Sequence, residues 1–534
     1  MIKPLYAARE ESMKSSGALL GPIFCAALLC ASPASGETVL KVKPSGDVKV
    51  LDPTIAADSI ARNFGYMIYD TLFAVDDKLE VKPQMVEAWE TSPDGKLWTF
   101  KLRENLRFSD GEPVTSEDVI ASLKRWSQID AMGQTLNAHG AVWGAVDPKT
   151  FALKLDQTWG FVLDALAKPG APVPFILPAR VLASTSSGKP VTDQTGSGPF
   201  VFKKEEWVPG SKLSFTRNPN YVPRSEPASG LAGGKIAKFD RVEWLIIPDQ
   251  QTALDALKKG ELDIDEDIPT DLIALAKSSK GIVVSHQDEI GVAQQMRLNS
   301  LQPPFNNPRI RQAALYATNP QEYVDAWAGG DTGLVTICRS FYICSSPYYS
   351  EAGFPRFDLA KAKQLLKEGG YDGTPVVILD ASENAQIHPA SLVAEQQLTA
   401  AGFKVDVQAM DWATVVSRRG SKEPMNKGGW SVFISGPGGL DMMLPINHLG
   451  LRSNCEKAWF GWPCNAEIEA MRNAFGDTAD AAERKKLAEQ IQLQATQTVP
   501  YVPLAVAYQF RASRADLRGM LTPPAPVYWN VERK

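Results

Sequence analysis

The stretch Ser92–Trp126, SPDGKLWTFKLRENLRFSDGEPVTSEDVIASLKRW, decides the fold. Pro93-Asp94-Gly95 is turn chemistry, because proline presets φ and glycine takes positive φ at no steric cost. Leu97, Thr99 and Lys101 then alternate with Trp98, Phe100 and Leu102 in a β-prone run. Asp110-Gly111 predicts the next turn. Thr115 predicts a helix N-cap, with Glu117 and Asp118 in the first turn, where the helix dipole favours anions. Val119, Leu123 and Trp126 recur at i, i+4 and i+7, which gives that helix one apolar face. No nucleophile, base or metal cluster lies in the stretch; taken alone it is scaffold.

Its spacing closely resembles the signature region of the solute-binding proteins of peptide-type ABC transporters, the oligopeptide/dipeptide/nickel family. The resemblance is carried by Asp94, Gly95, Trp98, Thr99, Phe100, Leu102, Arg103, Leu106, Phe108, Asp110, Gly111, Pro113, Thr115, Asp118, Val119 and Arg125. Further blocks follow in family order. Thr195–Asn220, TGSGPFVFKKEEWVPGSKLSFTRNPN, predicts paired strands around Pro209-Gly210. Asp240–Ile264 reads strand, helix, strand, with Gly260 as the helix stop, and implies α/β layers. Pro303-Pro304-Phe305 leads to Asn307, a helix cap, with Pro308 at the first helical position. The acidic run Asp263–Asp267 reads as a solvated edge with no metal role. Val499–Val506 reads as the strand that returns the chain to its first lobe.

The whole chain bounds the function classes. Its 534 residues suffice for two or three domains and a sizeable core. With 44% apolar and 22% charged residues it has a globular composition, and a net charge of −5 gives no footprint for nucleic acid or an anionic membrane. Gly17–Ala31 is a short apolar run, preceded by Lys14 and followed by small residues, as in a cleaved secretory signal; Met13 is an alternative start. Cys25 and Cys30 fall inside that segment without a lipoprotein cleavage context. Cys338, Cys344, Cys455 and Cys464 remain, an even count that favours disulfides over metal in an exported chain. Local pairs and cross-pairing both stay open. His139, His286, His388 and His448 form neither HExxH nor a spaced metal pair, and no G-x-S-x-G occurs.

The resemblance implies an α/β periplasmic-binding-protein type II fold, two lobes with an extra small domain in the first. Residues 1–36 would be the signal peptide, 37–75, 190–288 and 500–534 the first lobe, 76–189 the small domain, and 289–499 the second lobe. It implies a monomeric, non-enzymatic periplasmic carrier without cofactor, delivering a peptide or other small solute to an inner-membrane permease with its ATPase subunits. Carriers of nickel complexes, opines or oligosaccharides on the same scaffold, a secreted hydrolase and a structural envelope protein are the alternatives. Asp441, after the Gly-rich loop Lys427–Asp441, corresponds to the family's acid for a ligand ammonium, although this chain lacks the second acid and the Asp-Pro step. Trp412 matches a family Trp near the cleft, where stacking on ligand and core packing are both open. Tyr69 falls at the first crossing between lobes and is placed facing the cleft.

Overall fold

The computed structural model describes residues 36–534, apart from Ala57, Ser186, Ser187, Gly330, Thr332, Ala385 and Ala479. The expected signal peptide, residues 1–36 with Met13, Cys25 and Cys30, lies outside the described residues except for Gly36.

Two large sheets organise Thr38–Lys534. The first runs in the order Ile282–His286, Phe510–Arg514, Ile264–Asp265, Val39–Lys43, Arg241–Leu245, Lys212–Arg217, Phe200–Phe202. Val39–Lys43 lies at its centre and pairs in parallel with Arg241–Leu245 and Ile264–Asp265. Parallel neighbours need a crossover. The helix Gln250–Lys259 supplies it, started by the Asp249 side chain on the Thr252 N–H and ended at Gly260, whose φ of 77° a side chain would resist. The second sheet runs Val335–Thr336, Val502–Ala507, Val292–Leu298, Val432–Ser435, Val376–Ala381, Val405–Met410. All six residues of Val376–Ala381 are buried, the mark of a strand covered on both faces.

A separate antiparallel sheet, ordered Val86–Thr91, Leu97–Leu102, Thr150–Lys154, Val142–Asp147, carries the signature stretch. The helix Ser116–Trp126 closes that stretch and comes between the strands Leu97–Leu102 and Val142–Asp147 in the chain. Thr115 donates its N–H and its hydroxyl to Asp118 Oδ2, at 2.8 and 2.7 Å. Val119, Leu123 and Trp126 are buried as their spacing predicts.

The chain passes between the two large sheets in two places. One passage is 287–291, between Ile282–His286 and Val292–Leu298; the other is 508–509, between Val502–Ala507 and Phe510–Arg514. The Gln287 N–H donates to the Gln509 carbonyl at 2.8 Å, so the passages lie side by side. This corrects the reading of Val499–Val506 as a return to the first lobe. Val502–Ala507 stays in the second sheet, antiparallel to Val292–Leu298, and the return is made one strand later. A β-prone run declares a strand but not its partner, which is fixed by contacts hundreds of residues away.

The acidic run is also corrected. Asp263, Asp265 and Glu266 are buried, not a solvated edge. Lys43 Nζ stands 2.9 Å from Asp265, and Arg533 Nη2 lies 2.7 Å from Asp263. Cations distant in sequence thus make burial of these carboxylates tolerable. The cysteines form the two local pairs, Cys338–Cys344 and Cys455–Cys464, with Cα separations of 5.4 and 4.1 Å.

Candidate functional site

The strand Val432–Ser435 ends in Gly436-Pro437-Gly438-Gly439 and runs into a tight 3-10 turn, Gly439–Met442. Gly439 donates its N–H to the Gly291 carbonyl at 2.9 Å. A Cβ at Gly439 would stand 2.4 Å from Ile290 Cγ2, so only glycine lets this loop lie against the passage 287–291. The turn delivers Asp441 into the space between the sheets. Its N–H donates to Gly438 and its carbonyl accepts from Leu449, at 3.0 and 2.9 Å. No donor among the described residues reaches its carboxylate.

Asp441 stands between two cavities and lines both. One, of about 340 Å³, is walled by Ser59, Arg62, Gly170, Asp288, Gly291 and Gln509 together with the glycine loop. The other, of about 450 Å³, is walled by Phe161, Asp164, Lys168, Tyr348, Asn447 and Arg484. Burial pushes the Asp441 carboxyl above the ordinary carboxylate range; Lys168 and Arg62 pull it down, and Asp130 pushes it up.

The charges around it differ in their commitments. Lys168 is buried and satisfied: its Nζ lies 2.8 Å from Asp130 and donates to the carbonyls of Gly170, Ala171 and Pro172 at 2.8, 3.1 and 3.3 Å. Arg484 caps the Phe161 ring at 3.9 Å and donates to the carbonyls of Thr478 and Gly160 at 2.7 and 2.9 Å. Arg62, on the helix Ser59–Ile68, donates through Nε and Nη2 to the Asn63 side-chain oxygen at 3.1 and 3.0 Å. Burial raises the Asp164 carboxyl, opposed by Arg484.

The unit carrying the small sheet closes on the second lobe beside the larger cavity. Gly160 donates its N–H to the Gly476 carbonyl at 3.1 Å, Phe161 stacks on Phe475 at 5.3 Å, and His139 Nε2 lies 3.1 Å from Asp477 Oδ1.

The three residues singled out in the sequence are not brought together. Asp441 faces both cavities. Trp412 starts the helix Trp412–Arg418, half-buried, with Arg419 5.5 Å from its ring centre, and lines neither. Tyr69 caps the helix Ser59–Ile68 with extended backbone, is fully buried against Phe175 at 5.9 Å, and lines neither. Arg62 was hidden because the helical period directs attention to the apolar face. Asp164 and Lys168 sit in short, Pro-interrupted segments with no pattern to mark them. Among the described residues, no group of three or more His, Cys, Asp or Glu is placed to hold a metal.

Two α/β lobes, joined by a pair of crossing segments around a charged cavity, define a bilobal solute-binding protein. The profile described as bacterial extracellular solute-binding proteins, family 5 Middle, matches residues 80–451, and the chain belongs to that family. It is similar to a probable peptide ABC transporter periplasmic-binding protein of Sinorhizobium fredii, 35% identical over 496 residues, which cover 91% of this chain and 92% of that one. The glutathione-binding protein of Salmonella typhi is 27% identical over 519 residues, 95% of this chain and 96% of its own. Among solved structures, the periplasmic binding protein DppA of Helicobacter pylori in complex with the peptide STSA shares the fold, with a TM-score of 0.74 at 21% identity, over 93% of this chain and 98% of that one. Among the described residues no helix is long and apolar enough to cross a membrane.

Proposed function

We propose that this chain is the periplasmic capture component of an ABC importer. It is exported with a cleaved signal peptide, binds a peptide-like solute between its lobes as a monomer, and delivers it to a membrane permease driven by separate ATPase subunits. Residues 76–189 act as a small domain of the first jaw. The chain performs no chemistry on its ligand. The peptide class is supported by the relative at 35% identity and by the glutathione-binding relative, glutathione being a tripeptide.

One observation carries the reading. The Asp441 carboxylate is half-buried, has no partner among the described residues, and faces two cavities at the meeting of the jaws. A solute ammonium is the counter-charge such a group lacks, and a charge-assisted hydrogen bond there would secure one end of a peptide.

The test is thermal unfolding of the ligand-stripped protein with di-, tri- and oligopeptides, N-acetylated peptides, opines, oligosaccharides, and nickel with and without chelator. A ligand at about 100 times its Kd adds roughly 2.7 kcal/mol to the folded state. Peptide stabilisation lost on N-acetylation and in Asp441→Ala is the expected result. A response confined to another solute class would discard peptides; silence throughout would discard capture.

A further inference from the structure

The smaller cavity holds a second unsatisfied charge. Among its described lining residues Arg62 is the one basic side chain. A guanidinium carries five N–H donors in a planar fork. Those of Arg62 reach one amide oxygen, that of Asn63, and no carboxylate lies within 4.0 Å among the described residues. The nearby acids do not fill the gap. Asp288 Oδ1 is taken by the N–H groups of Ile290 and Gly291, both at 2.8 Å, which fix the turn of the crossing passage. Asp441 points into the same cavity without reaching Arg62. The contrast with Lys168 is informative: that cation is saturated by a carboxylate and three carbonyls, whereas Arg62 is left with donors to spare beside the cavity. Burial lowers its proton affinity, and the fields of Tyr66, Asp288, Asp441 and Glu266 oppose that without supplying a contact.

We infer that Arg62 is the receptor for a carboxylate of the solute. The cleft then selects a zwitterion, its ammonium on Asp441 and its carboxylate on Arg62, with the remainder of the molecule extending into the larger cavity. The inference rests on the reading of this cleft as the solute site, and it narrows the substrate class from peptide-like solutes to those with a free carboxylate. A planar carboxylate accepts two parallel N–H bonds from the fork, a geometry that an amide or ester end cannot reproduce. Because Arg62 rides on a helix of the first lobe and Asp441 on a loop of the second, one solute with both charges would tie the two jaws together.

The experiment measures affinity by titration calorimetry on the ligand-stripped full chain. The probes are tri-alanine, its C-terminal amide, N-acetyl-tri-alanine, glutathione and glutathione diethyl ester, tested on wild type, Arg62→Gln and Arg62→Lys. In wild type, blocking the carboxylate should weaken binding by about 10- to 100-fold, the range for a hydrogen bond to a charged group. In Arg62→Gln the free acid should bind as poorly as its blocked form, and Arg62→Lys, which keeps the charge but not the fork, should fall between. Unfolding midpoints of both variants separate lost affinity from lost folding, and the lysine variant keeps the comparison where glutamine disturbs the helix. If acid and blocked forms bind wild type alike while N-acetylation still abolishes binding, the role of Arg62 is overturned and that of Asp441 stands. If no probe binds, the peptide reading falls and the inference with it.

Discussion

Replacing Glu266 with glutamine should stabilise the protein more and more as the pH rises. Glu266 is 2% exposed, at the end of the strand Ile264–Asp265. Its Oε2 accepts the Ser45 N–H at 3.0 Å, and its Oε1 has no partner among the described residues. Burial dominates and pushes the carboxyl from its ordinary 4.5 up to about 8. The Ser45 N–H and Lys43 pull the other way, while Asp267 and Asp265 push with burial. Lys43 is already engaged with Asp265 at 2.9 Å; Arg511 and Arg62 act on Glu266 only through their fields.

The sign follows from which state holds the proton. The unfolded chain releases it near 4.5 and the native protein near 8, so between those values the native state carries one proton more. The stability tied to this proton is fully present below 4.5 and is lost as the pH climbs through 8. At ~1.4 kcal/mol per pH unit the whole gap amounts to roughly 5 kcal/mol, and the part already lost at neutrality to roughly 3 kcal/mol. Glutamine keeps the neutral form and the acceptor for Ser45 at every pH. Urea unfolding followed by tryptophan fluorescence at about pH 5, 7 and 8.5 should therefore show Glu266→Gln nearly level with wild type at the first and well above it at the last. A gap that is the same at all three would refute the argument, because it would mean that Glu266 is ionised to the same extent in both states.

Lys235→Met should cost about 3–5 kcal/mol, because it strands Asp70 without its ion-pair partner; the two groups lie 2.7 Å apart, each 1% exposed. Asp70→Asn in the same chain should recover part of that loss in urea unfolding. Arg484→Ala removes the cation over Phe161 and the bond to the Gly160 carbonyl without touching the Asp441 carboxylate. It should speed solute release in stopped-flow chase while leaving the association rate nearly unchanged. Replacing Cys455 and Cys464 together with serine opens a loop with a sequence separation of 9 and should lower stability by about 2–3 kcal/mol in the same assay.

What the sequence declared was local. Thr115 with Asp118, Gly260, and Asn307 with Pro308 each announce a helix end through local contacts, and each forms. The cysteines pair locally as well, although the sequence left cross-pairing open. Where composition and partner are far apart in the chain, the reading failed. Val502–Ala507 has the pattern of a strand, but its neighbour begins at Val292. Asp263–Asp267 looks like a water-loving edge until Lys43 and Arg533 arrive from the two ends of the chain. In the site, Asp441 was marked out only by the family resemblance, as the acid after a glycine-rich loop, and Arg62 was not marked at all, because one arginine on an amphipathic helix has nothing in its spacing to set it apart.

The placement of Asp441 bears on how capture and closure are linked. Its loop is fastened by the Gly439 N–H to the crossing passage, and a Cβ at Gly170, on the first jaw, would stand 3.6 Å from its Oδ1. The carboxylate is thus partly desolvated by both jaws and by the segment that joins them. Opening the jaws would return it fully to water, where its charge needs no partner; closing them without a counter-charge leaves it half-buried and unpaired, which is costly. On the proposed reading a solute ammonium removes that cost only in the closed form, so its binding free energy acts on the jaws as a differential preference, the condition for a ligand to shift a conformational equilibrium. The contacts of Gly160, Phe161 and His139 with the second lobe then set how far closure is favoured before any solute arrives, and the two cavities set which solutes can complete it.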